Sequence, residues 1–351
     1  MTYFNELTRL SRCSSTQQTN VVSCPADNLC DFCHILIFLS YICSDFSSKK
    51  EMRYAVIGTG AIGGYYGSKL AQAGQEVHFL LHRDYEYVKQ NGLAVDSCDG
   101  SFILPQVNAY QSTADMPPCD VVLVGLKTIN NHLLATLLPP LLHERTLVVL
   151  IQNGIGVEED VQKMFPGVWI AAGLAFICSA KTEPGRISHQ CYGSINIGNY
   201  SCDDHALVTA LIGELQQAGI QAAEVEYQEA RWRKAVWNMP FNGMTVALNT
   251  QTDLLLKNPA TERLIYDQMM EVIHAAQACG VKTLDSTFAD KMMSMTRAMV
   301  PYSPSMKLDF DFHRPMEIHY IYSRPIEIAA QAGSPMRKLE MLEAELRFLE
   351  C

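Results

Sequence analysis

The chain has 351 residues, with 27 basic and 37 acidic side chains and a formal net charge of −10. That length suits two ordinary domains with a sizeable core, and 48% apolar with 18% charged residues excludes a disordered chain or a charge-rich coiled coil. The acidic balance argues against a nucleic-acid binder, whose footprint is basic, and no run reaches the roughly 20 apolar residues of a membrane-spanning helix.

Residues 1–51 do not match the rest. Five of the twelve cysteines (Cys13, Cys24, Cys30, Cys33, Cys43) fall in the first 50 positions, among Ser/Thr/Gln/Asn clusters without helical periodicity. The apolar run Ile35–Cys43 is too short to cross a bilayer and sits behind acidic residues, unlike a signal-peptide core. Cys30-Asp-Phe-Cys33-His34 fits the C-x-x-C-H haem-attachment pattern, but that chemistry needs export. A closed zinc site would need a second spaced pair. The stretch therefore reads as a disordered leader, with Met52 as the expected natural start because the first strand begins immediately after it. The other seven cysteines show no paired spacing, so reduced thiols in a cytoplasmic protein are expected.

Arg53-Tyr-Ala-Val-Ile57 is the apolar run of a buried parallel strand. It enters Gly58-Thr59-Gly60-Ala61-Ile62-Gly63, then a helix-like stretch to Gly74, then the strand Glu76–Leu81. Strand, G-x-G-x-x-G, helix and strand within about 30 residues is the mononucleotide-binding half of a Rossmann fold. Gly58 permits the tight turn, Gly60 lets the backbone approach the pyrophosphate, and Gly63 lets helix and strand pack closely. The phosphate charge then meets unpaired N–H groups at the helix start. After the second strand, an acidic residue would suit the ribose 2′-hydroxyl of NAD, and an arginine the 2′-phosphate of NADP. Here stands Arg83, followed by Asp84, which could pair with it. NADP(H) is the expected cofactor. Two more buried strands end in Lys127 and in Asn153-Gly-Ile-Gly156. Ligands of open α/β sheets sit outside the carboxyl ends of strands, so Lys127 and Asn153 are expected to face the cofactor. Short strand-like runs between 168 and 200, broken at Pro184-Gly185, read as the last strands of the sheet.

From about 204 onward helical periods dominate, so the chain reads as α/β: a Rossmann-type dinucleotide-binding domain over 52–225 followed by an all-α substrate domain over 226–351. In this second part Lys234, Asn238 and Asn242 stand four residues apart and form one polar helical stripe, while Trp237 and Phe241 face packing. Asparagines are weak helix formers, an odd choice for a merely solvated face. Pro240 should kink or interrupt this helix. Downstream, Ser305 follows Pro304 and could cap the next helix, and Glu317 follows Arg314-Pro and could cap or pair with a cation.

These features together resemble the ketopantoate reductase (2-dehydropantoate 2-reductase) family over about residues 52–350. The resemblance rests on Gly58-x-Gly60-x-x-Gly63-Gly64, Leu-Lys127, Gln-Asn153-Gly-x-Gly, Pro184-Gly-x-Ile-x-His189, Trp-Arg-Lys234-x-x-x-Asn238-x-x-x-Asn242, Ser305-Met-x-x-Asp309 and Arg-Pro-x-Glu317-Ile. It implies NADPH-dependent reduction of the ketone of ketopantoate to pantoate, a step toward pantothenate and coenzyme A. By the same resemblance Lys234 is the general acid, Glu317 orients substrate or ribose beside it, and Asn238, Ser305, Asn242 and the residue at 252 line the substrate. Lys127, Asn153 and Arg83 would contact the cofactor. Thr252 and Tyr302 stand where family members use asparagine, with Asn249 near enough to compensate. These departures open a second reading, a reductase of another branched 2-oxo acid or amide. A third, a non-catalytic NADPH-binding regulator, has no need of a general acid. No metal is expected, and a homodimer is compatible with the apolar helical half.

Overall fold

The computed structural model describes residues 52–350; the expectations for the leader lie outside the described residues. Ten strands form one sheet: β1 (Arg53–Ile57), β2 (Glu76–Leu80), β3 (Leu93–Ser97), β4 (Phe102–Leu104), β5 (Asn108–Tyr110), β6 (Val121–Val124), β7 (Leu147–Leu150), β8 (Trp169–Glu183), β9 (Arg186–Asn199) and β10 (Ala222–Val225). Their order is β4-β3-β9-β8-β7-β6-β1-β2-β5, with β10 also on β9. From β5 to β8 all neighbours are parallel. Such strands are covered on both faces, which is why β6 and β7 are unbroken Val/Leu runs with every residue buried. The sheet order reverses at β1, between β2 and β6, and in open α/β sheets ligands bind outside the carboxyl ends of the strands at such a switch point.

Side-chain alternation divides the core. Tyr54, Val56, Leu123 and Val149 face one apolar cluster, shared with helices α1 (Ala61–Gln72), α2 (Tyr85–Asn91) and α5 (His205–Gln217). Ala55, Ile57, Val124 and Leu150 face another, covered by α3 (Leu134–Leu137) and α4 (Val157–Met164). The antiparallel β8–β9 hairpin turns at Pro184-Gly185, and β9 takes β3 as a parallel neighbour beside that turn and β10 toward its far end.

The third apolar cluster belongs to the helical half: α6 (Tyr227–Ala247), α7 (Thr252–Lys257), α8 (Pro259–Ala278), α9 (Ser286–Ala298), α10 (Ser305–Asp311), α11 (Arg324–Gln331) and α12 (Arg337–Glu350). A π-turn, His319–Ser323, leads into α11; Pro325, lacking an N–H, cannot make the ordinary helical bond there.

The Rossmann-type sheet followed by helices agrees with the expected fold class, and the six cysteines among the described residues are free thiols. Four local expectations are corrected. The runs between 168 and 200 are two strands of 15 and 14 residues rather than several short ones. They are not the last, because β10 lies beyond 204, where helical periods dominate. Helix α6 is not interrupted at Pro240, beside which the Tyr322 hydroxyl donates to Met239 O at 2.5 Å. Ser305 is not the cap of α10 but its first residue, after Pro304.

Candidate active site

The turn between β1 and α1 is shaped as the glycine spacing implies. Gly58 has φ +89°, and a Cβ there would lie 2.6 Å from Leu126 N on the neighbouring strand end, so a side chain is excluded by strain and by space. A Cβ on Gly60, in contrast, would meet nothing nearer than Gly58 O at 4.0 Å. The fold itself leaves that space open, as a cradle for a ligand's phosphate requires. Gly60 is also the N-cap of α1, where no side chain caps the helix, so the positive end of the helix is left to a ligand. Thr59 is buried and its hydroxyl donates to Leu80 O at 2.8 Å, which locks the turn to the end of β2. Beyond β2, Asp84 pairs with Lys181 of β8 rather than with Arg83. Arg83 is exposed and has no side-chain partner among the described residues. These residues fit a dinucleotide.

At the end of β7 the turn 152–156 is held from both sides. Gln152 Nε2 donates to Leu126 O and to Asn131 Oδ1, at 2.8 and 2.7 Å. Ile155 N donates to Tyr320 O at 3.0 Å. Gly154, at φ +105°, has no room for a Cβ against Tyr320. The side chain of Asn153, half-buried between these anchors, has no partner among the described residues.

Helix α6 lies across this turn. Arg231 donates to Gln152 O at 2.6 Å and pairs with Glu158 of α4; both members of the pair are buried, and the Tyr227 hydroxyl donates to Glu158 at 2.8 Å. One helical turn on, Lys234 Nζ donates to Ala175 O of β8 at 2.8 Å. Burial first, and then the positive charge of Arg231, push its amine down to about 7, against an upward pull from Glu317. Lys234 lines a narrow cleft with Asn238, Gly154, Ile155 and Tyr320, with room for about one water molecule (about 10 Å³). Asn238 is half-buried and its amide side chain is free.

Other expected site residues are occupied by the protein itself. The Asn242 amide is buried, donating to Asn238 O at 2.9 Å and accepting from Met306 N at 3.1 Å; it therefore does the capping for α10 that the sequence suggests for Ser305. The Ser305 hydroxyl is left exposed and free. Thr252 is buried and both its N–H and its hydroxyl go to Tyr302 O, at 3.2 and 3.3 Å, so the two departures from the family pattern touch each other. Asn249 is exposed at φ +46°, where it ends α6. Glu317 Oε1 accepts from both the N–H and the hydroxyl of Thr128, each at 2.8 Å. Burial pushes its carboxyl up, while those bonds and Lys127 pull it back. Lys127 pairs with buried Asp309 of α10, which Arg314 also holds at 3.0 Å. Among the described residues one group of possible metal ligands gathers, Cys98, Asp99 and His189. The two ring nitrogens of His189 are already engaged, by Ser97 Oγ at 2.9 Å and Tyr192 O at 3.1 Å.

Arg231, Glu158, Gln152 and Tyr320 are not visible as site residues in the sequence. Their partners lie up to 165 positions away, and only Arg231, three residues before Lys234 on the same helix, leaves a usable hint.

Comparison with known proteins bears on this arrangement. The family model described as ketopantoate reductase PanE/ApbA matches residues 54–201, and its C-terminal counterpart matches residues 226–350. A 2-dehydropantoate 2-reductase of Nostoc sp. is 44% identical over 307 residues, covering 86% of this chain and 96% of the relative. Among solved structures, the 2-dehydropantoate 2-reductase of Geobacter metallireducens is similar with a TM-score of 0.82 and 39% identity, over 85% of this chain and 99% of that one. D-mandelate dehydrogenase, in a ternary structure with NADH and anilino(oxo)acetate, shares the fold at a TM-score of 0.77 and 21% identity, over 85% and 98% of the two chains.

Proposed function

Since the chain belongs to the ketopantoate reductase family, we propose that it reduces the ketone of 2-dehydropantoate to the alcohol of pantoate, with NADPH as reductant and Lys234 as general acid. The observation that carries this reading is the amine of Lys234, brought down to about 7 in a narrow cleft at the carboxyl ends of the strands. A bound nicotinamide dinucleotide supplies the hydride. Lys234 does the rest of the chemistry: its ammonium hydrogen-bonds the ketone oxygen and gives up a proton as negative charge develops there. That interaction is stronger in the transition state than in the ground state, and an amine near 7 can be both charged and a ready donor at neutral pH. Ala175 O, its present partner, fixes the ammonium before the substrate takes over that bond.

The side chains without partners divide by location. Asn238 and Ser305 bind the substrate's carboxylate and hydroxyl. Asn153 meets the nicotinamide end, the β1–α1 turn the pyrophosphate, and Arg83 the 2′-phosphate, for which a bidentate guanidinium is suited. Glu317, Asn242 and Thr252 are assigned as positioning residues: Glu317 anchors the turn after β6 and holds up the basicity of Lys234, and the other two set α10 and Tyr302. Lys127 steers α10 through Asp309. The functional division at 225/226 follows the passage from β10 to α6.

Initial rates of NADPH oxidation by the full-length protein, on ketopantoate beside a panel of branched and aromatic 2-oxo acids and with NADH as control, test the proposal. Fast NADPH-preferring turnover of ketopantoate is expected; binding of NADPH without turnover of any panel member overturns it. A second reading, another 2-oxo acid, is favoured by Tyr302. Its ring lies 6.3 Å from that of Trp237, which itself stacks on Phe241, and this adds aromatic surface where the family has an amide.

A further inference from the structure

We propose that Lys181 is a cofactor-specificity residue, which selects a 2′-phosphorylated dinucleotide by neutralising Asp84 and placing a second cation at the adenosine end of the crevice. The inference rests on the NADPH reading above and adds to it a residue far in sequence from the glycine motif and the β2 end. β8 lays two polar side chains of one face along the mouth of the phosphate turn. Ser179 Oγ donates to Ala61 O at 3.3 Å, and Lys181 Nζ donates to Thr59 O at 2.9 Å. The same ammonium pairs with Asp84, whose carboxylate also accepts from Gly185 N at 3.3 Å. Asp84 is the acidic residue nearest the end of β2, the place from which a carboxylate takes the ribose 2′-hydroxyl of NAD. Bound to Lys181 and buried, it is withdrawn from that role, and Arg83 beside it is left unpartnered. The charge of Lys181, Asp84 and Arg83 together is +1. Without Lys181 it is zero, with an uncompensated carboxylate facing a dianionic 2′-phosphate.

The experiment is calorimetric titration of the full-length protein with NADPH and with NADH, which needs no turnover. In Lys181→Met the ratio of NADPH to NADH affinity should fall by about tenfold or more, the order of one lost close charge contact. Adding Asp84→Asn to that variant should recover part of the ratio, because the freed carboxylate is gone. Lys181→Gln keeps a donor for Thr59 O without the charge, and should show the same fall even where the methionine variant unfolds. Equal losses for both cofactors, or an unchanged ratio, overturn the proposal while leaving the wild type's NADPH preference standing. A wild type that binds the two cofactors equally overturns both this inference and the NADPH reading.

Discussion

Lys234 owes its chemistry to its surroundings, and this sets the sign of a pH dependence. With the amine at about 7, the protonated donor is full below that value and is lost as pH rises through it. The kcat/KM for ketone reduction should therefore fall with an apparent limb near 7, seen in initial rates from pH 5.5 to 9. Lys234→Ala should lower kcat by about 10²–10⁴-fold, as for loss of a general acid, with NADPH affinity nearly kept. Glu317→Gln removes the carboxylate that pulls this amine upward, so the limb should move to lower pH; a limb that stays put removes Glu317 from that role. The two stripe asparagines should separate by readout. Asn238→Ala should raise KM with little change in Tm. Asn242→Ala, which leaves Met306 N without its acceptor, should cost about 1–2 kcal/mol of stability, as for a lost helix cap. Denaturant titration beside kinetics distinguishes the two.

At the level of elements, α6 is joined to the sheet half by a buried charge pair and not by apolar contact alone. Arg231 spans Gln152 O and Glu158, while its Nε has no partner among the described residues. Breaking such a pair on one side leaves a buried charge uncompensated and costs about 3–5 kcal/mol. Glu158→Gln should accordingly lower Tm strongly. Arg231→Met should do less damage than that when combined with Glu158→Met. Arg231 also presses down the amine of Lys234, so in any folded Arg231→Met protein the pH limb should move up. A stability loss without that movement would make the pair purely structural.

For the whole molecule, the sheet and helical halves exchange residues at the turn after β7. Ile155, on the turn, is part of the helical half's core, and Tyr320, on the π-turn, packs against the sheet's core. The backbones meet closely enough that Gly154 admits no Cβ. Gly154→Ala should therefore push the two halves apart, lowering Tm and raising KM for cofactor and substrate together. A calorimetric scan in which only the helical half is destabilised would contradict this coupling. No helix among the described residues is long and apolar enough to cross a membrane.

What the sequence determined by itself was local and periodic. The glycine spacing implies the β1–α1 turn, because Gly58 and Gly63 answer near-neighbour requirements of φ and space while Gly60 leaves room for a ligand. The Val/Leu runs imply parallel strands buried on both faces, and the four-residue spacing of Lys234, Asn238 and Asn242 implies one face of α6. Less regular strands escaped: β3, β4 and β5 are short and lie at or near the sheet edge, and β10 is a four-residue run within an otherwise helical stretch. The tertiary structure alone decided which polar groups are free and which are spent. Asn242, Thr252 and Glu317 look like ligands in the sequence, yet each has atoms bonded to backbone or side chains 50 to 189 positions away. Asp84 likewise finds its cation on β8 rather than next door. Hydrogen-bond satisfaction and desolvation depend on distance in space, and that distance exists only once β8, α6 and α10 have closed around the strand ends.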